Sequence, residues 1–233
     1  MFSLPYLFLY MDKQALINYL QQFATEERIE AFNRVIANRT RHITVALENI
    51  YQPHNASAVM RSCDCFGVQD VHVIENSNSY KINPGVALGS TKWIDITKYN
   101  KEEENTTTCI NSLKKAGYTI VATTPHTNDV NLDELPIDKP IALFFGTEKT
   151  GLTQTMLDQA DVYMKIPMYG FTESFNISVC AALTLQHLTN KLHKSDIDWK
   201  LTEEEQMDLY LKWLKTSIKR SDALESEFLT RKV

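Results

Sequence analysis

The sequence lacks the spacings on which most metal and redox centres depend. Its four cysteines, Cys63, Cys65, Cys109 and Cys180, form no Cys-x-x-Cys pair, and its six histidines show no ligand spacing. No metal is therefore expected. No strand is followed by G-x-G-x-x-G, which argues against a Rossmann-type nucleotide site, and no G-x-x-x-x-G-K-[ST] occurs. The stretch from Gly146 to Gly151 imitates the latter only superficially, because Lys149 precedes the second glycine. Internal repeats, low-complexity segments and long linkers are also missing. An excess of basic residues is missing too. With a net charge of −5, the chain cannot coat a nucleic acid by bulk charge, so any such contact must come from local basic patches.

No export signal is legible. The opening MFSLPYLFLY is apolar, but it has no basic leader region or small-residue cleavage site and is too short to span a bilayer. The expectation is that Met11, which opens a polar helical pattern, is the natural start and that residues 1–10 come from an upstream start codon. A short membrane-binding segment is the alternative. A cytoplasmic chain with reduced thiols and no membrane partner follows. In such a chain the sequons at Asn38, Asn55, Asn105 and Asn176 carry no glycan.

What is present is an alternation of strands and helices. Residues 12–38 read as a helix, with Ile29, Phe32, Val35 and Ile36 as its apolar stripe. Strand-like runs follow at Ile43–Leu47, Asp70–Ile74, Tyr118–Thr123, Ile141–Phe145 and Val162–Ile166, with a weaker one at Trp93–Thr97. Runs such as IALFF suit strands buried on both faces. Helical patterns lie between them at 55–66, 105–116, 153–160 and 174–192, and another spans 202–220. In that last helix Met207, Leu211, Leu214 and Ile218 form an apolar stripe beside a basic one. The predicted class is α/β, a mostly parallel sheet with helices on both faces. One domain is expected at 43–194, with helical extensions at 1–42 and 195–233. A chain of 233 residues is long enough for one such core.

Three segments can carry chemistry. In NASAVMRSCDCFG, residues 55–67, Asn55 is a natural N-cap and Gly67 a natural helix stop. Ser57, Arg61 and Asp64 fall opposite the apolar face, where Arg61 pairing with Asp64 is the plain reading. In FFGTEKTGLT, residues 144–153, two glycines flank a polar loop at the carboxyl end of a strand, where ligands bind in open α/β sheets. A simple tight turn that leaves Glu148 exposed is the alternative. In KIPMYGFTESFNISVCAALTL, residues 165–185, Ser174 or Asn176 caps a strongly apolar helix whose N-terminus offers free N–H groups. That helix is expected to pack closely on the sheet or on a second subunit.

The three segments in this order resemble the SpoU family of SPOUT RNA methyltransferases. Its motifs are matched by NASAVMR, by FFGTEKTG and by IPMYGFTESFNIS, over roughly Val45–Leu192. LENIYQPHN, STKW and the terminal helices are similar to the TrmH subfamily, which methylates the 2′-oxygen of guanosine 18 in tRNA. The resemblance implies S-adenosylmethionine as methyl donor, tRNA as substrate, a deep C-terminal trefoil knot and a homodimer through the knot region. It implies that Thr123, Thr124, Gly146, Ile166, Met168 and Phe175 hold the donor. It also implies that Asn55, Arg61, Glu148, Ser174 and Asn176 form the catalytic set, with Arg61 at the 2′-hydroxyl. Asn55 then orients the ribose or Arg61, and Glu148 fixes Arg61 or its loop. Ser174 and Asn176 shape the helix start and the substrate pocket. Candidate RNA contacts are Arg28, Arg34, Arg39, Arg41, Lys92, Lys212, Lys215, Lys219 and Arg220. Solvated helix faces are the alternative for these cations. Another tRNA position or ribosomal RNA is the alternative substrate, though some 43 residues before the first strand are too few for an added RNA-binding domain. A catalytically silent RNA-binding protein of the same fold is the alternative from another class.

Overall fold

The computed structural model describes residues 4–125 and 130–231. They fall into two compact units, a helical one built from both ends of the chain (1–39 and 200–233) and a sheet unit (40–199).

The sheet unit carries β1 (Ile43–Glu48), α3 (Pro53–Cys65), β2 (Asp70–Ile74), a short α4 (Pro84–Ala87), a 3₁₀ turn at Ser90–Lys92, β3 (Asp95–Tyr99), α5 (Asn105–Lys115), β4 (Thr119–Thr123), β5 (Val130–Asn131), β6 (Ile141–Phe145), α6 (Gln154–Gln159), β7 (Val162–Lys165) and α7 (Ile177–His193). Among the described residues the strands form one seven-stranded sheet in the order β3-β2-β1-β6-β4-β7-β5. Every pairing is parallel; in the centre Val45 stands opposite both Val71 and Leu143. Each residue of β1 and β6 is buried, as continuous apolar runs in a doubly covered parallel sheet require.

The side-chain alternation of the strands makes two cores. Val45, Leu47, Val121, Leu143 and Phe145 face Val59, Met60 and Cys63 of α3 and Ala181, Leu185 and Leu188 of α7. Ala46, Ile120, Ala122, Ala142 and Phe144 face Ile110 and Leu113 of α5 and Met156 of α6. Helices thus cover both faces, and the loops at the strands' carboxyl ends stay open.

Several boundaries differ from the reading of the sequence. The helix predicted over 12–38 is two helices, α1 (Leu4–Gln21) and α2 (Glu26–Ile36). Phe23 and Ala24 bond back only three residues, and Thr25 caps α2 by accepting from the Arg28 N–H at 3.3 Å. Helix α1 runs through Met11 without a break. Of the segment 1–10, residues 1–3 lie outside the described residues. Helix α3 begins before Asn55, with Gln52 as N-cap and Pro53 at the first helical position, where its fixed φ favours it. Asn55 is therefore inside the helix rather than its cap. Ser57, expected on the outer face, is fully buried and accepts from the Asn83 N–H at 2.8 Å. Strand β3 begins two residues late because Trp93 closes the 3₁₀ turn onto Ser90. The helix predicted over 202–220 is α8 (Glu203–Ser217), and a further helix that the sequence reading does not give, α9 (Ser221–Arg231), follows it with Arg220 at φ 60° between them. The buried arc of α8 is Met207, Leu209, Tyr210, Trp213 and Leu214, with Leu211 only half-buried. A capping box of Thr202 and Glu205 starts α8. No described helix is long and apolar enough to cross a membrane.

Candidate active site

Beyond the carboxyl ends of β4, β6 and β7 lies a cleft of about 370 Å³. All six residues expected to hold the methyl donor line it: Thr123, Thr124, Gly146, Ile166, Met168 and Phe175. Leu157, Met164 and Ile177 add apolar wall, and Glu148, Glu173 and Ser174 supply polar groups. An apolar cleft with a few convergent polar atoms is the usual form of a small-molecule site.

The loop between β6 and α6 shows why its glycines are needed. Thr147 N–H donates to the Gly151 carbonyl at 2.9 Å, and Gly151 N–H returns to Thr147 at 3.0 Å. This closure is so tight that a Cβ on Gly146 would stand 2.2 Å from the Gly151 backbone. Gly151 itself has φ 67°, which glycine adopts without strain. The floor is fixed from two other strands. Thr123 Oγ1 donates to the Phe144 carbonyl at 2.7 Å, and Thr124 N–H donates to Met164 at 2.9 Å. Glycine at 146 is therefore required by the loop's own closure onto Gly151 and Leu152.

Asn176 joins the three segments singled out in the sequence. As N-cap of α7 its Oδ1 accepts from Ser178 N–H at 2.9 Å and from Ser178 Oγ at 2.6 Å. Its amide Nδ2 donates to Asn55 Oδ1 at 3.2 Å and, more closely, to Glu148 Oε1. Asn55, buried on α3, donates in turn to Gln52 Oε1 at 3.1 Å. Glu148 is thus engaged by Asn176, and Ser174 stands at the rim of the cleft. Arg61 is not drawn into this chain and does not line the cleft. It is exposed on α3, and no hydrogen bond or ion pair engages it among the described residues; the pairing with Asp64 is not formed.

The sequence gives no warning of Glu48. Only 1% exposed, it accepts from Thr153 N–H (2.8 Å), Thr153 Oγ1 (2.7 Å) and Thr106 Oγ1 (2.6 Å). The available signal is a carboxylate ending the otherwise apolar run ITVALE. Cys180 also borders the cleft, and burial pushes its thiol up to about 11, so it is neutral near pH 7. Among the described residues no group of three His, Cys, Asp or Glu side chains could hold a metal ion.

The candidate RNA contacts divide. Arg28, Arg34, Lys92, Lys212, Lys219 and Arg220 are exposed. Arg39 is not available: it is 1% exposed, and its guanidinium lies 5.4 Å over the Trp213 ring. Arg41 is half-buried and tied to Asp70 and, at 3.1 Å, to Asp95. Burial alone would lower its pKa, but the two carboxylates outweigh that and raise it. Lys215 pairs with Glu225 at 2.6 Å.

The model of the SpoU rRNA Methylase family matches residues 42–186. A tRNA (guanosine(18)-2′-O)-methyltransferase of Borreliella burgdorferi is 43% identical over 93% of this chain and 98% of its own. The crystal structure of the A. aeolicus TrmH/SpoU tRNA modifying enzyme superposes with a TM-score of 0.74 at 30% identity, over 83% of this chain and 98% of that one. A SpoU methyltransferase of Streptomyces viridochromogenes, solved in complex with the cofactor AdoMet, shares the fold at 21% identity. Its TM-score is 0.59 over 70% of this chain and 65% of that one.

Proposed function

Because the chain belongs to the SpoU methylase family, we propose that it moves a methyl group from S-adenosylmethionine to a ribose 2′-hydroxyl of tRNA, at guanosine 18. The observation that carries this reading is the Asn55–Asn176–Glu148 chain beside a glycine-tight cleft. The family model's description mentions ribosomal RNA. The Borreliella burgdorferi relative, matched over 98% of its length, favours tRNA.

Bound S-adenosylmethionine supplies a methyl already activated by its sulfonium. The cleft backbone around Gly146, Thr124 and Met168 holds and orients it. Orientation of two reactants contributes ~7–11 kcal/mol to such reactions. Asn176 and Asn55 fix the starts of α7 and α3, and Glu148 fixes Asn176. Arg61 is the residue for the 2′-hydroxyl. A guanidinium keeps its proton, so it serves as a cation and not as a base. It stabilises negative charge developing on the 2′-oxygen while holding the neighbouring phosphate, and the proton leaves to phosphate or water. That no other described residue engages it by a hydrogen bond or ion pair supports this role.

Three further features belong to the same proposal. The segment from β4 through β5 to β6 runs round β7, which lies between β4 and β5, and Lys191 of α7 reaches the Asp133 and Leu135 carbonyls of that segment. This supports a trefoil knot. Tyr169, Phe171, Phe175, Val179 and Leu183 are exposed, an apolar face that supports a homodimer through the knot region. The helical ends, as extensions of the domain, reach the tRNA backbone through Arg28, Arg34, Lys212, Lys219 and Arg220, with Lys92 from the sheet unit. A cytoplasmic location follows from the tRNA substrate.

The test is thermal melting with S-adenosylmethionine or S-adenosylhomocysteine, followed by transfer of labelled methyl to a tRNA transcript. Both nucleosides are expected to raise Tm. Arg61→Ala is expected to keep that shift and lose transfer. No shift with either nucleoside would favour the silent RNA-binding reading. Retained transfer would remove Arg61 from the mechanism.

A further inference from the structure

We propose that Glu48 is a positioning residue for the methyl-donor cleft, an inference that rests on the donor binding proposed above. The cleft takes its residues from Phe145 to Leu152 in unbroken succession. One end of that loop is fixed by β6 and its middle by the mutual bonds of Thr147 and Gly151. Its other end passes into Thr153, and there the chain meets Glu48. The carboxylate takes the Thr153 N–H on Oε2 at 2.8 Å and the Thr153 hydroxyl on Oε1 at 2.7 Å. The same Oε1 accepts from Thr106 Oγ1 at 2.6 Å, and Thr106 also accepts from Asn76 Nδ2 at 2.8 Å.

Glu48 is the last residue of central strand β1. It therefore references the end of the loop to a buried strand that is paired on both sides. Thr153 serves a second purpose, since its Oγ1 accepts from Met156 N–H at 3.2 Å and caps α6. A hydroxyl that accepts from a helix has its proton left to give, and Glu48 receives it. One buried carboxylate thus sets the direction of α6 and the width of the cleft between Gly146 and Leu152. Burying a carboxyl group is costly unless it is hydrogen-bonded, and three donors meet this one. A residue needed only for packing at this point could be apolar, like Ile43, Val45, Ala46 and Leu47 of the same strand.

The test is calorimetric titration of the full chain with S-adenosylmethionine and S-adenosylhomocysteine, together with kcat and KM for transfer. Glu48→Ala is expected to raise the donor's Kd and KM on the order of tenfold, the effect of one lost buried charged contact. Its kcat at saturating donor is expected to stay close to wild type. Glu48→Gln is expected to recover most of the affinity, because its amide oxygen can still face Thr153 N–H while its nitrogen faces the hydroxyls. Thr106→Ala, which removes the bond away from the loop, is expected to lower Tm and leave Kd unchanged. An unchanged Kd in Glu48→Ala, or an equal rise in Thr106→Ala, would overturn the proposal. If Glu48→Ala does not fold, Glu48→Asp gives the reading: its shorter side chain cannot reach both threonines, and an unchanged Kd there would overturn the proposal as well. Failure of the wild-type chain to bind either nucleoside would instead overturn the donor reading itself.

Discussion

His72 on β2 illustrates how burial at one residue becomes a property of the whole chain. Its Nδ1 lies 3.2 Å from the Tyr99 hydroxyl, and burial lowers its pKa to about 4. The imidazole is therefore neutral in the fold across the range where the unfolded chain, near 6.5, takes up a proton. Below pH 6.5 the unfolded state binds more protons than the folded one, so stability falls as pH falls towards 4 and is fully present above 6.5. From pH 7 to pH 5 the expected loss from this residue is about 2 kcal/mol. Denaturant titrations at the two pH values check it. His72→Gln is expected to show a smaller loss than wild type, and equal losses would contradict the assignment. Arg61 poses the opposite problem, a cation that no other described residue engages. Its spacing after Asn55 is legible in the sequence. That it is left without a partner is not, because Asp64 three residues on offers one on any helical wheel.

At the scale of elements, the meeting of α3, α7 and the loop after β6 depends on one amide. Asn176 caps α7 with its oxygen and ties Asn55 and Glu148 with its nitrogen. Asn176→Ala is expected to lower stability by about 1 kcal/mol, the usual effect of a lost cap, and to reduce methyl transfer. Asn176→Asp keeps the cap and suits the positive helix start, but it sets a carboxylate against Glu148. Stability is expected to recover in that variant and transfer to stay low. An aspartate variant as active as wild type would show that the amide bonds are dispensable. The cap on α7 can be read from FNIS, because an asparagine precedes an apolar helical run. The same signal misleads at Asn55, where Pro53 starts the helix earlier and releases Asn55 for its contact with Asn176. The break between α1 and α2 has no glycine or proline to announce it. The two-residue β5 is too short to carry a period, and its pairing with β7 is decided by a distant part of the chain. Strands β2 and β6 are legible to the residue, β6 as a continuous apolar run and β2 as an alternation of Asp70 and His72 with Val71 and Val73.

At the scale of the molecule, the charge has a location. The helical unit carries eleven basic and eleven acidic residues, so the surplus of −5 belongs entirely to residues 40–199. The neutral unit holds five of the six exposed cations proposed to meet tRNA. Phosphate contacts made by such a set weaken steeply with salt, and the acidic remainder opposes non-specific coating of RNA. That Thr123, Thr124, Gly146, Ile166, Met168 and Phe175 line one cleft beside the motif residues is legible because the glycines and polar residues stand in order. Glu48 is not, because a buried acid resembles any exposed one until its neighbours are placed. Which ribose is modified can be read by mapping 2′-O-methyl groups in total RNA from cells with and without this gene. Without the gene, methylation at guanosine 18 of tRNA is expected to be lost, and to return with the wild-type gene but not with Arg61→Ala. Guanosine 18 methylated to the same extent in both strains would contradict the proposed function.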